Sequence, residues 1–475
     1  MPQLPWALAQ GATETYDDGN ADVPGGLKGE PERVIVIGAG FAGLTAANAL
    51  RNAGVDVVVL EGRNRVGGRA HTKDVGGSPV DFGCSWIHEP IGNPMSAFAD
   101  QAGIAQTSAD IELDAATIRF HDDVSGAEVS LPDKLAAFAH LVLFEEEAAD
   151  ISDSLGPDAS ARDGARAYLD NHGLAGAARR HAEFLIRLVL QESDAIDWGR
   201  LNFDYIAHYD PVYTGVGLGD FPTGGYTGLV DAMAGDTDVR LGHRVSSVSR
   251  NGAGVRVTAS AGGKRRVFRG SHALVTVPLG VLKAGGVRFD EGLPERKRQA
   301  IRRLWFGEFE KVALTFAEPF WQDVLHTHIL HLSQRPALEW PLWLDLQKLS
   351  GVPSLVALCS SKFARTMARL PRAQRLESAV AVLEETLGVQ VPEPEAWAAS
   401  NWRNDPFSLG AYSSVPLGAS LAGFDRIADP VDGRLLFAGE GTSRARPGFA
   451  DGAMSTGIRE AKRLLQTPSV ELSAG

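Results

Sequence analysis

Two cysteines in 475 residues, Cys84 and Cys359, are too few for a disulfide framework and show no metal-ligand spacing. Buried free thiols are the expectation, and no metal is expected. No run of 18 apolar residues occurs, which excludes a helical membrane span within these residues. A basic surplus is also missing: 46 Lys and Arg stand against 59 Asp and Glu, a formal charge of −13. That argues against a nucleic-acid partner, which basic side chains would have to neutralise. Internal repeats and low-complexity blocks are absent after residue 31. What remains is a chain with 44% hydrophobic and 22% charged residues, ordinary for a globular enzyme and too long for one core, so two packed domains are expected.

Residues 1–31 are rich in Gly, Asp, Glu and Pro without hydrophobic periodicity and read as a flexible arm. ALAQ at residues 7–10 resembles the end of an export signal, but no charged and then apolar stretch precedes it. A cytoplasmic location is the expectation, with export as the alternative. The negative charge is local: residues 89–170 hold 17 acids and 4 bases, and the rest of the chain balances. Such a segment either draws a cationic substrate toward a pocket mouth or is a solvated helical face.

The densest signal is VIVIGAGFAGLTAANALRNAGVDVVVLEGRNRVGGR, residues 34–69. A β-branched run ends at Gly38, and a helix over about residues 41–52 begins at the turn, so its unpaired N–H groups face a pyrophosphate seat. Gly40 lets the backbone approach the phosphates, and Gly43 lets helix and strand pack closely. Residues 56–60 read as a second strand. Glu61 follows it, 23 residues past Gly38, where an acid can accept ribose hydroxyls and where a 2′-phosphate is disfavoured. These features alone leave both NAD and FAD open. Directly after come Arg63, Arg65, Gly67, Gly68 and Arg69, arginine forks and paired glycines suited to the other side of a pyrophosphate.

Further along, helical patterning covers residues 131–151 and 176–193. FPTGGYTGLVDAMA is a glycine turn feeding a helix, and strands are expected over residues 239–249, 254–259 and 265–268 before the buried run HALVTVPLGVL. EKVALTF and SLVALCS read as long strands, RLESAVAVLEETLG as a helix, RLLFAGEG as a strand-to-glycine turn, and FADGAMSTGIREAKRLLQ as a last helix.

GRNRVGGR after Glu61 resembles the E-x-R-x-R-x-G-G-R element of flavin amine oxidases, and later motifs follow that family's order from about residue 33 to 465. The resemblance, closest in motifs to polyamine oxidases, implies FAD. It also implies an α/β fold: a Rossmann-like FAD-binding domain of the glutathione-reductase type interleaved with a mixed α+β substrate domain. The expected division is 32–91, 222–288 and 430–466 for FAD, 92–221 and 289–429 for substrate with a helical part at about 130–200, and a flexible tail at 467–475.

By the same resemblance, DFGCSWIHEPIGNPM (81–95) passes beside the flavin ring, with backbone contacts from Gly83, Cys84, Ser85 and Trp86 and with His88 near the amine. GEFEKVALTFAEPFW (307–321) carries Lys311, which in the family holds a water at the flavin. A fixed cationic donor there would stabilise developing negative charge. NWRNDPFSLGAYSS (401–414) places Trp402 at the cofactor and Tyr412 as one aromatic wall of a substrate cage, and GFADGAMSTG (448–457) places Phe449 as the other. Glu440 lies near the ribityl and phosphate, Val245 meets the adenine, and Ala453 and Met454 start the last helix at the pyrimidine end, favouring a reduced-flavin anion. Monoamine oxidases link flavin through a cysteine before the first cage aromatic. Ala411 stands here, so non-covalent FAD is implied.

The implied reaction is oxidation of an amine, with the acidic segment and SWIHEPIGNP leaning toward polyamines, and molecular oxygen as acceptor. Glu89, Glu192 and Asp194 are candidate carboxylates for a distal ammonium. An L-amino-acid oxidase would need an arginine where GCSWIH has none. A monoamine or alkaloid-like substrate stays open, as does a demethylase scaffold. The amine and the oligomeric state are left open too.

Overall fold

The computed structural model describes residues 27–108, 118–209, 219–321, 328–333 and 337–465. Most of the expected arm and the whole expected tail lie outside these residues. The end of the arm differs from expectation: Leu27 packs against the core, and Lys28 N–H donates to Gly433 O at 3.0 Å.

The chain starts a parallel sheet with Arg33–Ile37, turns at Gly38 into the helix Phe41–Asn52, and returns as Asp56–Leu60. Four of the five residues in each strand are buried, as a sheet covered on both faces requires. Leu435–Phe437, His272–Val275, Arg33–Ile37, Asp56–Leu60 and Val239–Arg240 pair in that order, all parallel. The sheet is therefore assembled from four stretches of chain. The last helix, Ala450–Leu465, packs on Phe41–Asn52.

One expected strand proves to be two. The stretch 239–249 divides at the positive-φ Gly242, so Val239–Arg240 joins the parallel sheet and Arg244–Asn251 joins a separate sheet with Gly254–Ala261, Lys264–Gly270 and Arg288–Phe289. A seven-stranded mixed sheet forms the other half, with Phe309–Thr315 between Ala396–Ala399 and Ser354–Ser360. Helices Leu131–Leu155, Ala161–Asn171, Gly176–Asp194 and Phe203–Ala207 enclose their own core around Phe144, Tyr168, Ile186, Trp198 and Phe203. Their starts are written locally: Ser160 and Asp163 form a capping box. Both cysteines are free, and no described helix is long and apolar enough to cross a membrane.

Candidate active site

The glycine turn after the first strand is built for close approach. Gly38 has φ 111°, and a Cβ on Gly43 would lie 2.0 Å from Gly38 O, so neither position admits a side chain. Gly40 and Gly68 face each other differently. A Cβ on Gly40 would meet only Gly67 O, at 3.9 Å, and one on Gly68 only Gly40 Cα, at 3.7 Å. Two glycine turns thus line a backbone-walled gap at the start of helix Phe41–Asn52, a fit for a pyrophosphate. Glu61 joins the turns: its carboxylate accepts from Ala39 N–H at 2.9 Å and Arg63 N–H at 2.8 Å. Val245 shares an apolar cluster with Ile37, Val58 and Leu60.

The three arginines do not converge on one point. Arg63 pairs with Asp405 at 2.5 Å and Ser408 at 2.9 Å, and lies over the Trp402 ring. Arg65 donates to the carbonyls of Val66, Gly68 and Ala70, fixing the second glycine turn, and burial lowers its pKa to about 10. Arg69 donates to Ala411 O and to Glu440, both at 2.7 Å, joining residues 371 positions apart. Glu440 is buried and also accepts from Ser413 N–H at 3.2 Å and Gly448 N–H at 3.1 Å, so it anchors the loops carrying Tyr412 and Phe449.

Lys311 is the centre of a second cluster. It is 3% exposed, and its ammonium donates to Asp81 O at 3.0 Å, Gly83 O at 2.8 Å and the Ser85 hydroxyl. Its three N–H groups thus all have protein acceptors, and holding a water requires one of these bonds to open. Burial lowers Lys311 to about 8, opposed by Asp81 and other acidic neighbours. The Trp86 ring centre is 5.7 Å from Nζ. Gly83 is mandatory here, since a Cβ would lie 1.6 Å from Arg69 O. Burial also raises the Cys84 thiol well above its ordinary value, so it is inert as a thiolate. Trp402 donates to Phe82 O at 2.6 Å and braces the same segment.

His88 and Phe449 meet edge to face at 5.0 Å, and His88 lies 5.6 Å from Trp86. Burial, then Arg446, lowers His88 to about 3, leaving a neutral imidazole. Gly448 abuts Tyr412, whose hydroxyl donates to the Glu192 carbonyl. Burial raises Glu192 and Asp194 each to about 7, with the Ser360 hydroxyl and Lys311 opposing at Glu192 and the Ser414 hydroxyl at Asp194. These are acids able to exchange a proton near neutrality. Glu89, at φ 39°, is instead paired with Arg446 at 2.7 Å. The last helix begins at Ala450, three residues earlier than expected, with Met454 buried in the core and Ala453 N–H bonded to Phe449 O.

Sequence reasoning missed two groups. Asp81 caps helix Tyr226–Ala234 through both carboxylate oxygens, at 3.1 and 3.2 Å from Tyr226 N–H, while its backbone carbonyl holds Lys311. Burial raises it to about 6. Arg446 is fully buried, 4.0 Å over the Phe449 ring, and bonded to Asp451 at 2.8 Å and Tyr209 at 3.1 Å. It supplies an arginine beside the expected cage from a segment where none was sought. The only signal was a charged SRAR stretch inside a glycine-rich apolar motif. A further polar cluster lies elsewhere: His331 contacts Asp123 at 2.9 Å, and with Glu385 their ligand atoms fall within 4.8 Å of one another.

A glycine-walled gap that fits a pyrophosphate, an acid after the second strand and a buried lysine held by residues 81–85 are the features of a dinucleotide-dependent oxidoreductase. The chain matches the family described as flavin containing amine oxidoreductase over residues 41–465 and belongs to it. Its cofactor is FAD, and Ala411 stands at the position where covalent attachment would need a cysteine. Polyamine oxidase 3 of Oryza sativa subsp. japonica is 32% identical over 450 residues, 92% of this chain and 89% of that protein. Lysine-specific histone demethylase 1 homolog 3 of Oryza sativa subsp. indica is 34% identical over 466 residues, 92% of this chain but 54% of that protein. The chain spans about half the length of the demethylase homologues it matches. A putrescine oxidase variant redesigned in cofactor binding superposes with a TM-score of 0.72 at 23% identity, covering 92% of this chain and all of the other.

Proposed function

We propose that this chain oxidises an amine, and by preference a polyamine, to an imine that water converts to carbonyl product and amine, while oxygen becomes hydrogen peroxide. The observation that carries the reading is the pair of buried acids beside Tyr412, Glu192 and Asp194, of which Glu192 also lies within the field of Lys311. FAD, when bound, supplies the two-electron acceptor. Residues 32–91, 222–288 and 430–466 hold it, and 92–221 with 289–429 form the substrate side. Gly38, Gly40, Gly43, Gly67 and Gly68 seat the pyrophosphate, and Glu61 faces the ribose. Tyr412 and Phe449 exclude water around the amine. Glu192 takes a proton from the arriving ammonium at its carboxylate, because only the neutral amine has a lone pair to assist loss of hydride from the α-carbon. Lys311 Nζ holds and passes the proton needed when oxygen is reduced. Arg446 does not serve a substrate carboxylate, because Glu89 and Asp451 already offset its charge, and this disfavours amino-acid oxidation.

Likeness to demethylase homologues supports a second reading, oxidation of an N-methylated lysine in a peptide. A peroxide-coupled screen of spermidine, spermine, putrescine, their acetylated forms, aromatic amines and a dimethyl-lysine peptide separates the two. Polyamine turnover above all others is the expected result. Turnover of the peptide alone would transfer the assignment, and an air-free flavin that no amine bleaches would end both.

A further inference from the structure

The four-stranded sheet that receives Arg244–Asn251 carries a feature unconnected with amine chemistry. Arg256 and Arg269 are register partners on neighbouring antiparallel strands, so their side chains stand directly opposite on one face. Strand alternation puts Arg265 and the half-exposed Val267 on that face as well. Like charges placed opposite one another destabilise a sheet. Among the described residues, nothing offsets them: the side chains of Arg256, Arg265 and Arg269 have no hydrogen bond, ion pair or ring contact. Together with Arg33, they line a shallow cavity of about 560 Å³, within the range of small-ligand sites. Arg33 is the only one of the four with an acid, Asp56 at 3.4 Å. In a chain of net charge −13, this is a concentrated positive groove.

We propose that this groove binds a short linear polyphosphate, of the nucleoside triphosphate or tripolyphosphate class. Guanidinium groups match phosphate oxygens bidentately. Arg265 and Arg269 lie four residues apart on one strand, roughly 13 Å, which exceeds one phosphate and calls for several anionic groups in line. Val267 offers an apolar contact to an organic end. A long nucleic acid is disfavoured, because the groove occupies one sheet face and the chain as a whole repels an extended polyanion.

The test is calorimetric titration of the full-length, FAD-saturated protein with sodium tripolyphosphate, with ATP and with a short single-stranded oligonucleotide, at ionic strengths of about 0.02 M and about 0.15 M, alongside sedimentation of the protein alone. Saturable one-to-one binding that weakens with salt is expected. Arg256→Gln with Arg269→Gln should weaken it at least about tenfold, while Arg303→Gln, an exposed arginine elsewhere, and amine turnover stay unchanged. Arg256→Glu should raise the Tm by forming a cross-strand ion pair with Arg269, and abolish binding. Tighter binding of ATP than tripolyphosphate would support an added contact to the base, and equal binding would support recognition of the phosphate chain alone. The proposal is overturned by absence of saturable binding, by equal affinity in the double variant, or by binding of oligonucleotide alone. Self-association that the double variant abolishes, without tripolyphosphate binding, would assign the groove to a second copy of the chain and likewise overturn it.

Discussion

Lys311→Met removes a buried amine whose cost and pH dependence follow from its surroundings. Burial lowers the folded-state pKa from an ordinary 10.5 to about 8, so between those values the unfolded chain binds more protons than the folded one. Stability must then rise with pH through that window. Integrating from about pH 7.5 to about pH 10, the wild-type chain gains about 2 kcal/mol from this group. The methionine variant gains none of it. Its absolute stability is less informative, since Asp81 O and Gly83 O lose a donor, at about 1–3 kcal/mol each, while the desolvation of an ammonium is relieved. The pH difference between the two proteins isolates the lysine, because every other titrating group is common to both. Guanidinium unfolding followed by far-ultraviolet circular dichroism, at both pH values and equal FAD concentration, supplies the four stabilities required. A double difference below about 0.5 kcal/mol, or one of opposite sign, would show that Lys311 is not desolvated in the folded protein.

Kinetically, the same variant should slow flavin reduction, reoxidation or both with little change in amine affinity; stopped-flow traces matching wild type in both half-reactions would refute the role. Gly83→Ala should abolish FAD loading, measured as the flavin-to-protein absorbance ratio, because its Cβ would lie 1.6 Å from Arg69 O. Acid precipitation should leave all the yellow colour in the supernatant, and colour in the pellet would disprove non-covalent binding. For a polycationic amine, kcat/KM should fall as screening shortens from roughly 30 Å at 0.01 M salt to about 8 Å at 0.15 M, with a smaller slope for a monoamine. Neutralising Glu145, Glu146 and Glu147 should flatten the polyamine's slope if those acids face the pocket mouth, whereas equal slopes for the two amines would make the acidic segment a solvated surface only.

Local sequence rules were enough to build the cradle. Strand, glycine turn, helix, second strand and Glu61 are contiguous, and the helix spans Phe41–Asn52 and the strand Asp56–Leu60, as the periodicity predicts. These features depend on short-range rules: β-branched runs extend, glycine accepts φ 111°, and a helix start exposes its N–H groups. Where the chain changes sheets was not legible at residues 241–243, because alternating apolar residues look alike in either sheet. Only tertiary packing brought Lys311 to residues 81–85, Arg69 to Glu440 and Arg446 to Glu89. Those contacts join residues more than 200 positions apart, so no local pattern encodes them. Packing also decided protonation. A lysine on a strand reads as a cation, and a glutamate near a helix end as a carboxylate. The enclosure that removes their water, which lowers Lys311 and raises Glu192 toward neutrality, exists only once sheet, helix and loop have closed around them.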